Sequence, residues 1–67
     1  MNAGPCFEIQ VNLDGVWVTA GRAARNSMTY AAIRRVAKKY PFPTEIRVVP
    51  YGAVEIAEYI DREKMGV

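Results

Sequence analysis

The stretch that decides the fold is Phe7-Glu8-Ile9-Gln10-Val11-Asn12-Leu13-Asp14-Gly15-Val16-Trp17-Val18-Thr19-Ala20. From Phe7 to Leu13 apolar and polar residues alternate without exception, the period of a strand with one buried face. Asp14-Gly15 separates this run from a second one rich in strand formers. Asp-Gly between two such runs specifies a two-residue hairpin, because a type I′ turn needs φ > 0 at both central positions. A two-residue turn also sets the register: Leu13 opposite Val16, Asn12 opposite Trp17, Val11 opposite Val18, Gln10 opposite Thr19, and Ile9 opposite Ala20. Phe7, Ile9, Val11, Leu13, Val16, Val18 and Ala20 then share the core face. Trp17 falls on the other face, among Glu8, Gln10, Asn12 and Thr19.

Downstream of the hairpin, residues 21–25 read as a connection carrying Arg22 and Arg25, and Asn26 or Ser27 is placed to cap a helix over residues 28–39. At about 100° per residue, Thr29, Tyr30, Ile33, Val36, Ala37 and Tyr40 share the side facing the core. Ala31, Arg34, Arg35, Lys38 and Lys39 point outward. Lys38 and Lys39 in the last turn complement the helix dipole, and Pro41 ends the hydrogen-bond ladder. Phe42, in the stiff Pro41-Phe42-Pro43 link, is expected to turn inward and plug the helix end.

Residues 44–49 read as a third strand, with Ile46 and Val48 on one face and Glu45, Arg47 and Val49 on the other. Hairpin, helix and strand in that order predict a small α+β domain (ββαβ). Its three-stranded sheet has the order 2-1-3, with the third strand parallel to the second and the helix across one face. The expected core is Phe7, Ile9, Val11, Leu13, Val16, Val18, Ile33, Val36, Ala37, Tyr40, Ile46 and Val48. Residues 53–64 admit two readings. A helix would align Ala53, Ile56, Ala57 and Ile60, pair Glu58 with Arg62, and stop at Gly66; a fourth strand would use Val54 and Ile56 after the Pro50-Tyr51-Gly52 turn. Abundant Ala, Glu and Lys favour the helix.

The 67 residues allow one domain, residues 1–67, with 1–5 and 65–67 expected to be flexible ends. At 51% hydrophobic and 24% charged the composition is that of a globular chain, and so small a core is expected to supply only about 3 to 5 kcal/mol. With no histidine and a single cysteine, Cys6, there is no Ser-His or Cys-His nucleophile, no zinc cluster of Cys and His, and no disulfide within the chain. Neither a membrane span nor a secretory leader is expected, which makes the cytosol the expected setting and leaves an unpaired Cys6 without penalty.

Glu55, Glu58, Asp61 and Glu63 lack the converging loop a cation needs. A catalytic carboxylate pair would need a pocket of ~300 Å³ or more, which so short a chain is not expected to enclose. Glycines 15, 21 and 52 lack phosphate-loop spacing. No catalytic residue, metal or cofactor is therefore expected.

Charge is more informative. The net value of +2 hides a central block, residues 22–44, that holds Arg22, Arg25, Arg34, Arg35, Lys38 and Lys39 and no acid. The flanks are acidic: Glu8 and Asp14 before it, and five acids against three bases after it. A basic helix face suits an acidic protein surface or nucleic-acid phosphates, or simply keeps the protein soluble. Trp17 on a polar face needs a cover, from the C-terminal segment through Ile56, Tyr59 or Ile60, from a partner protein, or from a second copy in a homodimer. Base stacking on Trp17 is the nucleic-acid version; no RNP aromatic motif, KH-type Gly loop or helix-turn-helix pattern accompanies it.

The expected function is a non-catalytic module that binds a protein partner stoichiometrically as an inhibitor or regulator. It resembles, in size alone, the compact inhibitors that small phage genomes encode. The candidate contact residues are Trp17, Arg22, Arg25, Arg34, Arg35, Lys38 and Lys39.

Overall fold

A computed structural model describes residues 6–67; the flexible start expected over 1–5 lies outside them. The chain runs β1 (Phe7–Leu13), β2 (Val16–Ala23), a 3₁₀ turn (Asn26–Met28), α1 (Thr29–Lys39), β3 (Ile46–Pro50), a second 3₁₀ turn (Val54–Ile56), β4 (Glu58–Tyr59) and α2 (Arg62–Met65). The sheet is four-stranded and antiparallel at every pairing, in the order β2-β1-β3-β4. β3 is thus parallel to β2 with β1 between them, as the hairpin, helix and strand order requires.

The Asp14-Gly15 turn has φ of 55° and 88°, both in the left-handed region that the type I′ turn demands. Asn12 Oδ1 accepts a hydrogen bond from the Gly15 amide at 2.8 Å and braces the turn. The predicted register holds from Leu13↔Val16 to Gln10↔Thr19 and then shifts, so that Ile9 faces Gly21 instead of Ala20. The cause lies across the core: a Cβ on Gly21 would stand 2.9 Å from Val36 Cγ2. The bulge therefore presents the one residue without a side chain where β2 passes closest to α1.

Ile9, Val11, Ala23, Ala32, Ile33, Val36, Ala37, Ile46 and Val48 form the core between α1 and the sheet, with Phe7, Val18, Ala20, Tyr40, Ile60, Met65 and Val67 packed around it. Residues 65–67, expected to be a flexible end, thus lie against this cluster in part. Leu13 and Val16, assigned to the core, are exposed, because β3 pairs only with Phe7–Val11 and the hairpin tip projects beyond it. On α1 the buried line is Ala32, Ile33, Val36 and Ala37. Contact with β2 rotates Ala32 inward and leaves Tyr30 exposed, correcting its place on the buried stripe. Neither Asn26 nor Ser27 caps the helix: a 3₁₀ turn precedes α1, and neither it nor α1 has a side-chain cap. Phe42 is not a plug but is exposed.

Arg62 closes the helix end instead. Its buried guanidinium donates from Nη1 to the carbonyls of Tyr40 (2.8 Å) and Thr44 (2.6 Å), and from Nε to that of Val67 (3.2 Å). A cation thus meets carbonyls left open at and beyond the C-terminus of α1.

The long helix favoured for residues 53–64 is replaced by a 3₁₀ turn, the short strand β4 and the helix Arg62–Met65. Glu58 and Arg62 therefore belong to different elements and do not form a helical pair. Asp61 caps α2 by accepting from the Lys64 amide, and Gly66 ends it at φ 72°, the stop expected there.

Candidate binding groove

Residues four apart lie on one line of a helix, and on α1 the line Ala32, Val36 with Arg35 and Lys39 beside it faces the outer edge of the sheet. That edge is β2. Where the two elements flank each other they leave an open groove of about 410 Å³, lined by Ala20, Gly21 and Arg22 from β2 and by Ala32, Arg35, Val36, Lys38 and Lys39 from α1. It is a surface channel, so a short chain offers binding volume here without enclosing a cavity. The floor is small and apolar, four of the eight lining residues are cationic, and none is acidic.

The cations sit there at some cost. Arg34 with Lys38 and Arg35 with Lys39 are like-charged i,i+4 pairs, each destabilising an isolated helix by about 0.2 to 0.5 kcal/mol. The first turn of α1 carries no acid to offset them. Lys38 and Lys39 recover part of this from the dipole of the last turn.

Four of the seven residues singled out from the sequence, Arg22, Arg35, Lys38 and Lys39, meet in this groove. Arg34 is turned aside: its guanidinium lies 5.7 Å from the Tyr30 ring centroid, and it lines a smaller cleft of about 160 Å³ with Ala37, Lys38, Gly66 and Val67. Arg25 is exposed in the link before the first 3₁₀ turn, outside both linings.

Trp17 is on the opposite face of the sheet, half-buried and covered from within the chain. Arg47 lies 4.3 Å from its ring centroid, and Tyr59 of β4 meets it edge-on at 5.8 Å. Tyr59, an expected cover from the C-terminal segment, arrives on a strand. A belt of side chains crosses the sheet beneath. Thr19 and Gln10 both donate to Glu8 Oε1 (3.0 and 3.2 Å), Gln10 Oε1 accepts from Arg47 Nε (2.8 Å), and Arg47 Nη1 donates to the Tyr59 hydroxyl (3.2 Å). Gln10 thus links the buried Arg47 cation to the Glu8 carboxylate without direct contact between the two charges.

Sequence reasoning did not single out Arg47 or Arg62. For Arg47 a signal existed: the polar face that holds Trp17 also receives an arginine from the third strand, and an aromatic ring beside a guanidinium is a stacking pair. For Arg62 there was none, because Thr44 and Tyr40, whose carbonyls take its two shortest bonds, lie 18 and 22 residues away.

Among the described residues no His, Cys, Asp and Glu grouping suits a metal ion, and no helix is long and apolar enough to cross a membrane. No family model, curated protein or solved structure matches the chain.

Proposed function

We propose that the protein is a non-catalytic binding module that holds an acidic surface of a protein partner stoichiometrically, as an inhibitor or regulator acting in the cytosol. The observation that carries this is the groove between α1 and β2, with its apolar floor, four cations and no acid. Apolar floor and charged rim together are the anatomy of a protein contact, in which desolvated small residues are ringed by polar ones. The like-charged pairs on α1 act in the same direction, since an anionic partner relieves a repulsion the free protein carries.

The nucleic-acid reading draws less support. Trp17 would be its stacking platform, but that ring is engaged by Arg47 and lies on the face away from the cationic groove. A homodimer through the second sheet face has less uncovered aromatic surface to use, for the same reason.

The test is affinity capture from the native host, followed by calorimetric titration of the partner identified. Arg35→Glu and Arg25→Glu change net charge equally, but only Arg35 lines the groove. The expected result is near-unit stoichiometry, affinity weakened about 5-fold or more by Arg35→Glu, little effect of Arg25→Glu, and unchanged thermal melts. Equal losses from both substitutions would reduce the groove to general charge and overturn the assignment.

A further inference from the structure

The groove has a second property besides charge: its β2 wall, Ala20 to Arg22, continues a strand edge that no other strand among the described residues pairs with. Among the described residues β2 is the last strand of the sheet on this side, and it is eight residues long, with no proline. Across the two-residue turn, Leu13 and Val16 exchange both backbone bonds, so Val16 and Val18 spend their amides and carbonyls on β1. Those of Trp17 and Thr19 point outward. Natural sheets shorten, bend or cover such edges, because a free ladder invites another chain. Here the bulge opposite Ile9 interrupts the edge at its middle, and α1 stands beside it without covering it.

We propose that the groove receives an extended acidic segment of the partner, added to β2 as a fifth strand. This rests on the reading of the groove as the site for an acidic protein. Main-chain bonds to Trp17 and Thr19, on the β2 edge just before the residues that line the groove, supply affinity that is independent of sequence, and α1 supplies selectivity. Alternate side chains of a strand face the same way, so the segment carries its acids at every second position, toward Arg35, Lys38 and Lys39. Small floor residues, Ala20, Gly21 and Ala32, leave room for its main chain. The bulge limits regular pairing to a few residues and hinders the edge from joining a second copy of itself.

The experiment is fluorescence anisotropy with a labelled, end-capped peptide alternating Asp and Val over about six residues, roughly 20 Å of extended chain. Two versions carry N-methyl groups on alternate sets of amides. Since only one set can bond to β2, methylation of that set is expected to weaken binding about 10-fold or more, and methylation of the other set little. The variant Arg35→Glu with Lys39→Gln is expected to weaken the unmodified peptide by about 10-fold or more, without placing an anion at the end of α1. Equal binding of both methylated peptides, with the charge dependence intact, overturns strand addition and leaves charge capture standing. Binding indifferent to the α1 substitutions overturns the groove reading as well. Failure of every acidic peptide to bind overturns strand addition, and capture of the native partner then decides the wider reading.

Discussion

Replacing Arg62 tests the physical account of the fold at its most exacting point. Arg62→Met keeps most of the aliphatic stem but removes the donors that reach Tyr40, Thr44 and Val67. Hydrogen bonds from a charged donor contribute about 1.5 to 3 kcal/mol each, and the two shortest alone would give about 3 to 6 kcal/mol. Two effects reduce that figure: the variant no longer desolvates a guanidinium, and Tyr40 and Thr44 are only half-buried, so water can reach part of their polar surface. The net expectation is a loss of about 2 to 4 kcal/mol. Against a total of about 0.05 to 0.15 kcal/mol per residue, that is a large share of the stability of 67 residues.

The assay is urea unfolding followed by Trp17 fluorescence. The midpoint is expected to fall sharply with little change in slope, and the melting temperature to drop by about 4 to 8 °C per kcal/mol. Arg62→Lys, a single point donor in place of a planar fork, is expected to fall between the two. A loss under about 1 kcal/mol for Arg62→Met would refute the reasoning: the carbonyls would then be satisfied without the guanidinium. A Lys variant as stable as the parent would refute the need for the fork.

Gly21→Ala is expected to cost about 1 to 3 kcal/mol, because the added methyl meets the stiff, buried Val36 at 2.9 Å. In the Gly21→Ala, Val36→Ala pair the losses are expected to sum to less than their separate values, and strict additivity in a double-mutant cycle would deny the clash. Gln10→Ala is expected to destabilise by about 1 to 3 kcal/mol by leaving the buried Arg47 Nε unpaired, read from the same urea curves. Tyr59→Ala is expected to raise acrylamide quenching of Trp17 as it removes the edge-on ring; unchanged quenching would place the cover elsewhere.

What could be read from the chain follows how local each determinant is. Asp14-Gly15 carries its own backbone requirement, so the hairpin, most of its register and the placement of Trp17 were legible from a dozen residues. Strand order followed from the sequence of elements and the geometry of a crossover. The bulge opposite Ile9 was not legible, since it answers to Val36, fifteen residues beyond Gly21. The C-terminal segment misled in its extent because helix propensity is a weak prior. Ile60 donates its amide to the Ile46 carbonyl and Tyr59 pairs with Arg47, tertiary contacts that outweigh the Ala and Glu of residues 53–58. For the groove, the six-cation block was plain in the sequence. That four of its members converge with the sheet edge while Trp17 faces away depended on how α1 lies over β2.

The most direct measurement of the central claim is a map of amide chemical shifts as the unmodified alternating Asp and Val peptide is titrated into the labelled protein. The largest changes are expected at the backbone amides of Trp17 to Arg22 and along Ala32 to Lys39, with the Trp17 indole N–H nearly still. Changes centred on the Trp17 indole, Tyr59 and Arg47, with the α1 and β2 amides unmoved, would contradict the claim.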